Sequence, residues 1–166
     1  MSKIISYTQW SDYLEQCATM LIALSHTPDK KHYYEFDSAF TGIKLNAPAL
    51  IGIPPSGKIT DSKSDNIQMD MVGEFLVVMP CGPEDFAAQL AVYDSCLEIG
   101  WDIITKFYKD LREFVSPADK AINFLDPSNV TFQPVGPEFE NHFGIHFFVP
   151  FSNPRSLNYN AAKFHP

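Results

Sequence analysis

Basic side chains and cysteines are scarce in this chain. Its 166 residues include 12 lysines and arginines against 20 aspartates and glutamates, which gives a formal net charge of −8 at pH 7. That balance argues against nucleic acid and anionic membranes as partners, because both are bound by basic surfaces. The three cysteines, Cys17, Cys81 and Cys96, are an odd number, and two of them fall near the apolar faces of predicted helices. We expect buried free thiols in a reducing compartment.

Long apolar runs are also missing. No stretch approaches the ~20 apolar residues that a membrane-spanning helix needs, and residues 2–8 lack the apolar core of a secretion signal. We therefore expect the protein to be made and to fold in a cytoplasm. Apolar residues nevertheless make up 45% of the chain and aromatic residues 14%, enough for a sizeable core. The composition predicts one domain over residues 1–153, followed by a polar tail over residues 154–166.

The motifs of nucleotide and calcium sites are incomplete. Lys58 follows a glycine as in a phosphate-binding loop, but Ile59 stands where that loop needs serine or threonine, and no helix is predicted to follow. Asp61, Asp65 and Asp70 lack the glycine and the glutamate that a calcium-binding loop places at its sixth and twelfth positions. We interpret this stretch as solvated polar chain rather than as a cation site.

The spacing of the histidines and cysteines indicates neither a metal ion nor a catalytic nucleophile. His142 and His146 stand four residues apart, which spans about 13 Å on a strand and is too far for one ion. His26 and His32 flank a proline turn without a cysteine partner. A nucleophile such as Cys17 would need a histidine base and an orienting group beside it. We therefore predict surface or structural histidines, no catalytic, cofactor-binding or metal-binding residues, and no enzyme activity.

A long amphipathic stretch over residues 84–114 organises the rest of the chain. It contains no internal proline, and its apolar residues recur every three or four positions, which predicts an α-helix. Pro83 suits the first turn of this helix, and Pro117 follows its end. The expected core-facing stripe is Phe86, Leu90, Tyr93, Leu97, Gly100, Ile104, Phe107 and Leu111, flanked by Val92, Cys96, Ile99 and Ile103. A stripe this wide is typical of a helix that lies on a sheet.

The remaining apolar segments predict a second helix and a set of strands. Ser6 and Gln9 form a capping-box pattern at the start of an amphipathic stretch from Thr8 to about Leu24. Short apolar or alternating runs predict a helical turn at residues 38–41 and strands at 32–36, 48–53, 67–71, 75–79, 130–135 and 143–151. Polar residues 152–154 are expected to end the last strand. Together they predict an α+β fold, a mixed, mainly antiparallel sheet of about five strands packed against the N-terminal helix and the 84–114 helix.

A polar stretch at residues 56–66 separates two of the predicted strands. Pro54 and Pro55 are expected to close the strand before it. The stretch indicates a solvated loop or a hairpin tip that projects from the sheet, and loops of this length are often functional. We predict an arm that contacts a neighbouring subunit through Lys58, Asp61, Lys63 and Asp65. A solvated loop without such a role is the alternative.

Four segments follow one another in a recognisable order. They are a helix around Tyr13-Leu14 followed by His26-Thr27-Pro28, an apolar strand at 47–51, a strand and helix at 73–78 and 94–100, and a final strand at 141–147. In this arrangement, over about residues 8–153, the chain resembles the tail terminator (tail-completion) proteins of long-tailed bacteriophages and prophages. The polar tail after residue 153 lies outside that pattern.

The resemblance implies a non-enzymatic protein that forms a ring, commonly a hexamer, on the end of the tail tube. Such a ring stops tube polymerisation and presents a surface to the neck. Its partners would be other copies of itself, the tail tube and neck proteins, with no cofactor, nucleic acid or membrane. It would reside in the cytoplasm of the host and in the virion of a functional phage. The alternative is a small ligand-binding or regulatory α+β module, with a pocket between helix and sheet and no catalytic activity.

Overall fold

A computed structural model describes residues 6–39, 44–61, 67–113, 126–139 and 141–155. The predicted α+β fold is confirmed, since a five-stranded sheet packs against two long helices. In chain order the helices and strands are α1 (Tyr7–Met20), β1 (Tyr33–Glu35), α2 (Phe36–Ala39), β2 (Ala49–Asp61), β3 (Ile67–Pro80), α3 (Phe86–Glu113), β4 (Thr131–Glu138) and β5 (His142–Arg155). Within these ranges, no helix is both long and apolar enough to span a membrane.

The sheet is mixed and mainly antiparallel, as predicted. Its strand order is β1-β2-β3-β5-β4, and of these neighbours only β1 and β2 run parallel. β3 pairs with β5 along its whole length, from Ile67 opposite Arg155 to Pro80 opposite His142. These two long strands form the centre of the sheet, and the others extend it on both sides.

Both faces of β3 are covered at residues 75–78, as the nearly all-apolar run at residues 75–79 predicts. Phe75 and Val77 pack on the side of α1 and α3, and the Phe75 ring stacks on Phe147 with centroids 4.8 Å apart. Leu76 and Val78 lie on the opposite face, in a smaller cluster with Tyr34, Ala39, Leu45, Ala49 and Ile51. The long helices therefore cover one face, and residues of the α2 region cover part of the other.

Side-chain hydrogen bonds fix the start of each long helix. The predicted capping box is confirmed, because Ser6 Oγ accepts the Gln9 N–H at 3.1 Å and Gln9 Oε1 accepts the Ser6 N–H at 3.0 Å. The Asp85 carboxylate accepts the Ala88 N–H at 3.0 Å at the start of α3. The sequence suggested that Pro83 belongs to the first helical turn of α3. It lies instead in the turn before the helix.

α1 ends at Met20, before the predicted end at Leu24. The backbone of Leu21 is already extended, and its carbonyl accepts the Leu24 N–H at 3.0 Å in a tight turn. Leu24 is only 1% exposed, so it contributes to the core from this turn. The helical spacing of Leu24 in the sequence therefore reflects the burial of its side chain and not a helical backbone.

α3 confirms the predicted long helix but not the whole of its predicted buried stripe. Its buried residues are Gln89, Cys96, Ile99, Gly100, Ile103, Ile104 and Phe107. Phe86 and Leu90 are 75% and 65% exposed, so the predicted stripe is wrong at its N-terminal end. The predicted flanking residues Cys96, Ile99 and Ile103 are buried together with Gly100, where an added Cβ would lie 2.0 Å from the Phe147 ring. With 3.6 residues per turn, Phe86 points the same way as the buried Ile104 about five turns later, so its exposure belongs to the start of α3 and not to a rotation of the whole helix.

β2 and β5 are longer than predicted. β2 continues through Pro54 and Pro55 to Asp61, with an irregular register beside the prolines. Of the strands that the structure describes, β1 alone pairs with this edge of β2, and it pairs with residues 50–52, so the prolines stand where no described strand needs their missing N–H. β5 runs to Arg155 and is not ended by residues 152–154.

The short elements lie close to their predicted positions. β1 covers the centre of the strand predicted at 32–36, and β4 contains most of the strand predicted at 130–135. The helical turn predicted at 38–41 forms earlier, as α2, directly after β1. Residues 40 and 41 lie outside the described residues.

Candidate functional site

A cleft of about 250 Å³ lies between the start of α1 and the edge of the sheet at β1 and β2. Aromatic side chains and two carboxylates meet around it. The residues that line it are Tyr7, Thr8, Trp10, Ser11, Asp12, Tyr33, Glu35, Phe36, Gly52, Ile53 and Pro54. We call this the α1–β1 cleft.

Trp10 is the fixed wall of the α1–β1 cleft. It is 3% exposed, and its indole N–H donates to the Ile53 carbonyl at 3.1 Å and more weakly to the Glu74 carbonyl at 3.4 Å. The ring meets Phe151 edge-on, with centroids 5.2 Å apart. A Cβ at Gly73 would lie 2.8 Å from the indole, so the absence of a side chain there lets α1 approach β3. Trp10 thereby anchors α1 to two strands.

A chain of three hydrogen-bonding side chains forms the polar wall of the cleft. Ser11 Oγ lies 2.8 Å from Tyr33 Oη and donates to Glu35 Oε1 at 3.2 Å. The hydroxyl of Ser11 has one proton, which it gives to the carboxylate, so Tyr33 donates to Ser11. Burial raises the pKa of Tyr33 to about 12, an effect that its bond with Ser11 opposes in part. The phenol therefore stays protonated at neutral pH.

The charged side chains that the structure describes in the lining of the α1–β1 cleft are acidic. They are the carboxylates of Asp12 and Glu35, and the described lining contains no histidine, lysine or arginine.

The predicted arm is a continuation of three paired strands. Past the row formed by Gly57, Met71 and Phe151, residues 58–61 of β2, 67–70 of β3 and 152–155 of β5 stay in register. We call these residues the β arm, and four residues per strand give it a length of about 13 Å. For residues 58–61, the structure supports the predicted hairpin and not the solvated loop.

Two of the four predicted contact residues lie within the described part of the β arm. Lys58 is exposed on β2 and stands opposite Asp70 in the strand register. Asp61 is the last residue of β2 and stands opposite Ile67. Lys63 and Asp65 lie outside the described residues. The phosphate-loop pattern around Lys58 has no structural counterpart, since β3 and not a helix follows β2.

A contact between His146 and Glu74 joins two strands near the base of the β arm, on the face opposite α3. His146 Nε2 lies 3.0 Å from Glu74 Oε2, and the Ser56 hydroxyl donates to the other carboxylate oxygen at 3.3 Å. The Phe148 ring packs on the imidazole, with centroids 4.1 Å apart. Burial lowers the pKa of His146, although the Glu74 carboxylate opposes the shift. The contacts link β2, β3 and β5.

His26 and His32 have structural bonds, as predicted. His26 Nδ1 accepts the backbone N–H groups of His32 at 2.9 Å and Tyr33 at 3.2 Å, while its Nε2 lies 3.3 Å from Glu15 Oε1. His32 Nδ1 donates to the Pro48 carbonyl at 2.7 Å. These bonds hold the chain between α1 and β1. Among the described residues, no group of three or more histidine, cysteine, aspartate or glutamate side chains has the geometry to hold a metal ion.

The described cysteines are free thiols, as predicted, and two of them are buried. Burial raises the pKa of both Cys17 and Cys96 to about 12. Cys17 also lies beside a polar contact between the helices, where Tyr13 donates to Asp110 at 2.7 Å and Lys106 pairs with the same carboxylate. A protonated, buried thiol is a poor nucleophile.

The sequence pattern did not identify the residues of the α1–β1 cleft. Ser11 and Asp12 lie on α1, whereas Tyr33 and Glu35 lie on β1, so no local spacing joins them. One signal was available in β1: Tyr33 and Glu35 alternate and so share a strand face, with an acidic group beside an aromatic one.

Comparison with protein-family models, curated proteins and solved structures finds no match for this chain.

Proposed function

We propose that this protein is a structural assembly subunit of the tail terminator type, which associates through its β arm into a ring on the end of a phage tail tube. The observation that carries the proposal is the β arm, three strands that continue past the Trp10–Phe151 contact. An extended arm of this kind suits contacts with a neighbouring subunit better than it suits the core. The proposal assigns the protein no catalytic step and no cofactor.

The outer edge of β2 is the part of the β arm best suited to accept another strand. Among the described residues, β1 pairs only with residues 50–52 of β2, which leaves residues 58–61 with a partner on one side. The outer edges of β4 and of the end of β5 carry prolines, which lack the N–H that a ladder needs, at Pro134 and Pro137 in β4 and Pro154 in β5. Residues 58–61 contain no proline. A neighbouring chain can extend the sheet here through main-chain hydrogen bonds.

Charge supports an arm-to-neighbour contact. Each copy carries a formal charge of −8, so copies repel one another unless local cations offset that repulsion. Lys58 places an exposed cation on the β arm, and Lys63 belongs to the same proposed contact. Asp61 and Asp65 complete the predicted set. A head-to-tail contact of this kind closes into a ring when its rotation allows.

The proposal is tested by the mass of the protein in solution. We expect the parent chain to sediment as a discrete oligomer, Lys58→Glu to shift it toward monomer, and Lys30→Glu to leave it unchanged. Lys30 is the matched control because it is an exposed lysine far from the β arm in sequence. Salt raised from about 0.1 M to about 1 M shortens the Debye length from ~10 Å to ~3 Å and should weaken the parent oligomer. A parent that is monomeric at every concentration, or a Lys58→Glu variant that assembles normally, would contradict the proposal.

The proposed partner is tested by microscopy. With purified tail tube protein from the same phage or prophage, we expect rings at the ends of the tubes and shorter tubes than without them. Lys30→Glu should act as the parent does, and Lys58→Glu should not cap the tubes. Oligomers that leave tube ends bare and tube length unchanged would separate self-association from tail termination.

The α1–β1 cleft favours a second candidate function, a small ligand-binding module without catalytic activity. It lies between a helix and the sheet, where the alternative drawn from the sequence expects a pocket. Trp10 reports on binding to this cleft through its buried indole N–H, whereas Trp101 is 61% exposed and serves as an internal reference. Saturable ligand binding by a monomer, together with no ring formation, would favour this function over the first.

A further inference from the structure

We propose that one side of α3, together with the start of β4, receives the β arm of the neighbouring copy. The inference rests on the proposed ring and names the second surface of its contact. A head-to-tail contact joins two different surfaces of the same chain, and the β arm is only one of them. We call the other surface the α3–β4 face, and it consists of Phe86, Leu90, Asp94, Trp101 and Phe132.

Exposed apolar side chains concentrate on the α3–β4 face. Seven large apolar side chains are exposed in the part of the chain that the structure describes, and four of them, Phe86, Leu90, Trp101 and Phe132, belong to this face. With 3.6 residues per turn, the three on α3 point within about 60° of one another. Apolar side chains that are exposed as a group mark interaction sites, whereas ones scattered singly do not.

This group lies on the side of α3 that faces away from α1. Tyr13 of α1 donates to Asp110, and Trp101 stands nine residues before Asp110, about 180° away around the helix. The strand order places β4 at the sheet edge opposite β1, beyond β5. The Phe132 ring lies 5.9 Å, centroid to centroid, from the ring of Phe147, which packs against α3. Phe132 is therefore separated from α3 by a single ring.

The start of α3 and the β arm lie at opposite ends of the sheet. β3 ends at Pro80, and α3 begins six residues later at Phe86. Tyr93 of α3 meets Phe143 near the same end, with ring centroids 6.4 Å apart. The β arm begins beyond Phe151, which is eight residues further along β5, or about 26 Å. Surfaces at opposite ends of one chain suit a head-to-tail contact.

The exposed charged residues of α3 between residues 86 and 105 are all acidic. They are Asp94, Glu98 and Asp102. Asp94 lies one turn after Leu90 and two turns before Trp101, so its carboxylate borders the apolar group. Two copies of this surface would repel each other, whereas the exposed Lys58 of a β arm brings the opposite charge. Charge therefore favours the β arm over a second α3–β4 face as the occupant.

The β arm also has apolar residues that match this face. In the strand register Ile59 stands opposite Met69, and Ile67 lies two residues before Met69 on the same strand. Strand alternation places these three positions on one face of the sheet and Lys58 on the other. The β arm therefore combines apolar positions with a cation, as the α3–β4 face combines apolar side chains with acids.

Matched substitutions test the α3–β4 face by sedimentation. Asp94→Lys and Leu90→Ala should each shift the oligomer toward monomer, at concentrations where Asp29→Lys and Ile22→Ala leave it assembled. Each control makes a similar change at an exposed position outside the face. For Leu90→Ala we expect the dissociation constant of the contact to rise about tenfold or more, because less apolar surface is buried. Either variant assembling as its control does would contradict the inference.

A mixture of two chains tests whether the two surfaces meet. One chain carries Asp94→Lys, and the other has an Asn-Gly turn in place of Lys58–Asp70. We expect each to be monomeric alone and the equimolar mixture to form a dimer, since the β arm of the first chain meets the α3–β4 face of the second and neither chain can add another copy. If the parent assembles but the mixture stays monomeric or grows past a dimer, the inference is overturned and the proposed ring stands. A parent that is monomeric at every concentration would overturn both.

Discussion

The same three strands behave differently at their two ends. Beneath α1 and α3, β3 and β5 contribute Phe75, Val77 and Phe147, which are 1% exposed or less. In the β arm, the described backbones of β2, β3 and β5 continue in register, and the side chain of Lys58 is exposed. Apolar burial stabilises the first end, and main-chain pairing is the contact that the structure describes along the second. We therefore predict that the β arm can be altered with less effect on stability than the helix-covered end.

The largest expected effect comes from the centre of the helix-covered end. Phe107 is fully buried against the rings of Trp10, Tyr13 and Phe75. Phe107→Ala should lower the free energy of unfolding by about 3–5 kcal/mol, through lost burial and the cavity left behind. Phe86→Ala, on the same helix but at an exposed position, should cost less than about 0.5 kcal/mol. Urea titration of both variants checks the face assignment of α3, and equal losses would contradict it.

A smaller but still substantial effect is expected where α3 touches β5. Gly100→Ala places a methyl group 2.0 Å from the Phe147 ring, so the helix or the ring must move. We expect a loss of about 1–3 kcal/mol from overpacking. Gly82→Ala is the control, because the nearest atom to its added Cβ is 3.9 Å away. Thermal unfolding of the two variants compares them, and an unchanged midpoint for Gly100→Ala would show that the contact is loose.

The stability of the protein should depend on pH through His146, which lies near the boundary between the helix-covered end of the sheet and the β arm. Burial holds the pKa of His146 below its ordinary value in the folded chain, although Glu74 and Glu138 oppose the shift. As the pH falls, the His146 side chain therefore takes up its proton more readily in the unfolded chain than in the folded chain. The contribution of His146 to the free energy of unfolding is complete above about pH 6.5 and is lost as the pH drops from there through the lowered pKa. In His146→Gln the fall should be shallower. Urea titrations between pH 7.5 and pH 5 give both profiles, and a parent profile no steeper than that of the variant would reverse the sign.

The smallest effect on stability is expected from the β arm itself. The register places Gly57 opposite Met71, so an Asn-Gly turn can replace Lys58–Asp70 and close a shorter hairpin. We expect the free energy of unfolding to change by less than about 1 kcal/mol, because the net contribution of main-chain hydrogen bonds to stability is small. Circular dichroism during urea titration provides the comparison. A loss as large as that of Gly100→Ala would mean that the β arm supports the core.

The fold class and the main elements could be predicted because their signals are local. The capping box at Ser6 and Gln9, the alternation in β5 and the apolar run in β3 each report backbone geometry within a few residues. The face of α3 could not be predicted in the same way. Phe86 and Leu90 match the predicted apolar periodicity, and Phe86 points the same way as the buried Ile104, so the pattern alone does not show that the start of α3 is exposed.

The extent of the strands and the cleft depend on pairing between distant segments. Pro54 and Pro55 suggest the end of β2, and only the short length of β1 places them on an edge where the strand continues. The α1–β1 cleft joins residues from α1, β1 and β2, which are separated along the chain. The sequence shows the charges of the predicted contact residues and their place in a polar stretch. The structure adds that Lys58 and Asp61 lie on β2.

The most direct measurement compares the sedimentation of the parent with that of the chain whose residues Lys58–Asp70 are replaced by an Asn-Gly turn, at matched concentrations. If the β arm makes the contacts between subunits, the parent sediments as a discrete oligomer, and the shortened chain sediments as a folded monomer with a nearly unchanged unfolding midpoint. A shortened chain that assembles as the parent does, or a parent that stays monomeric throughout, would contradict the assignment of the β arm to assembly.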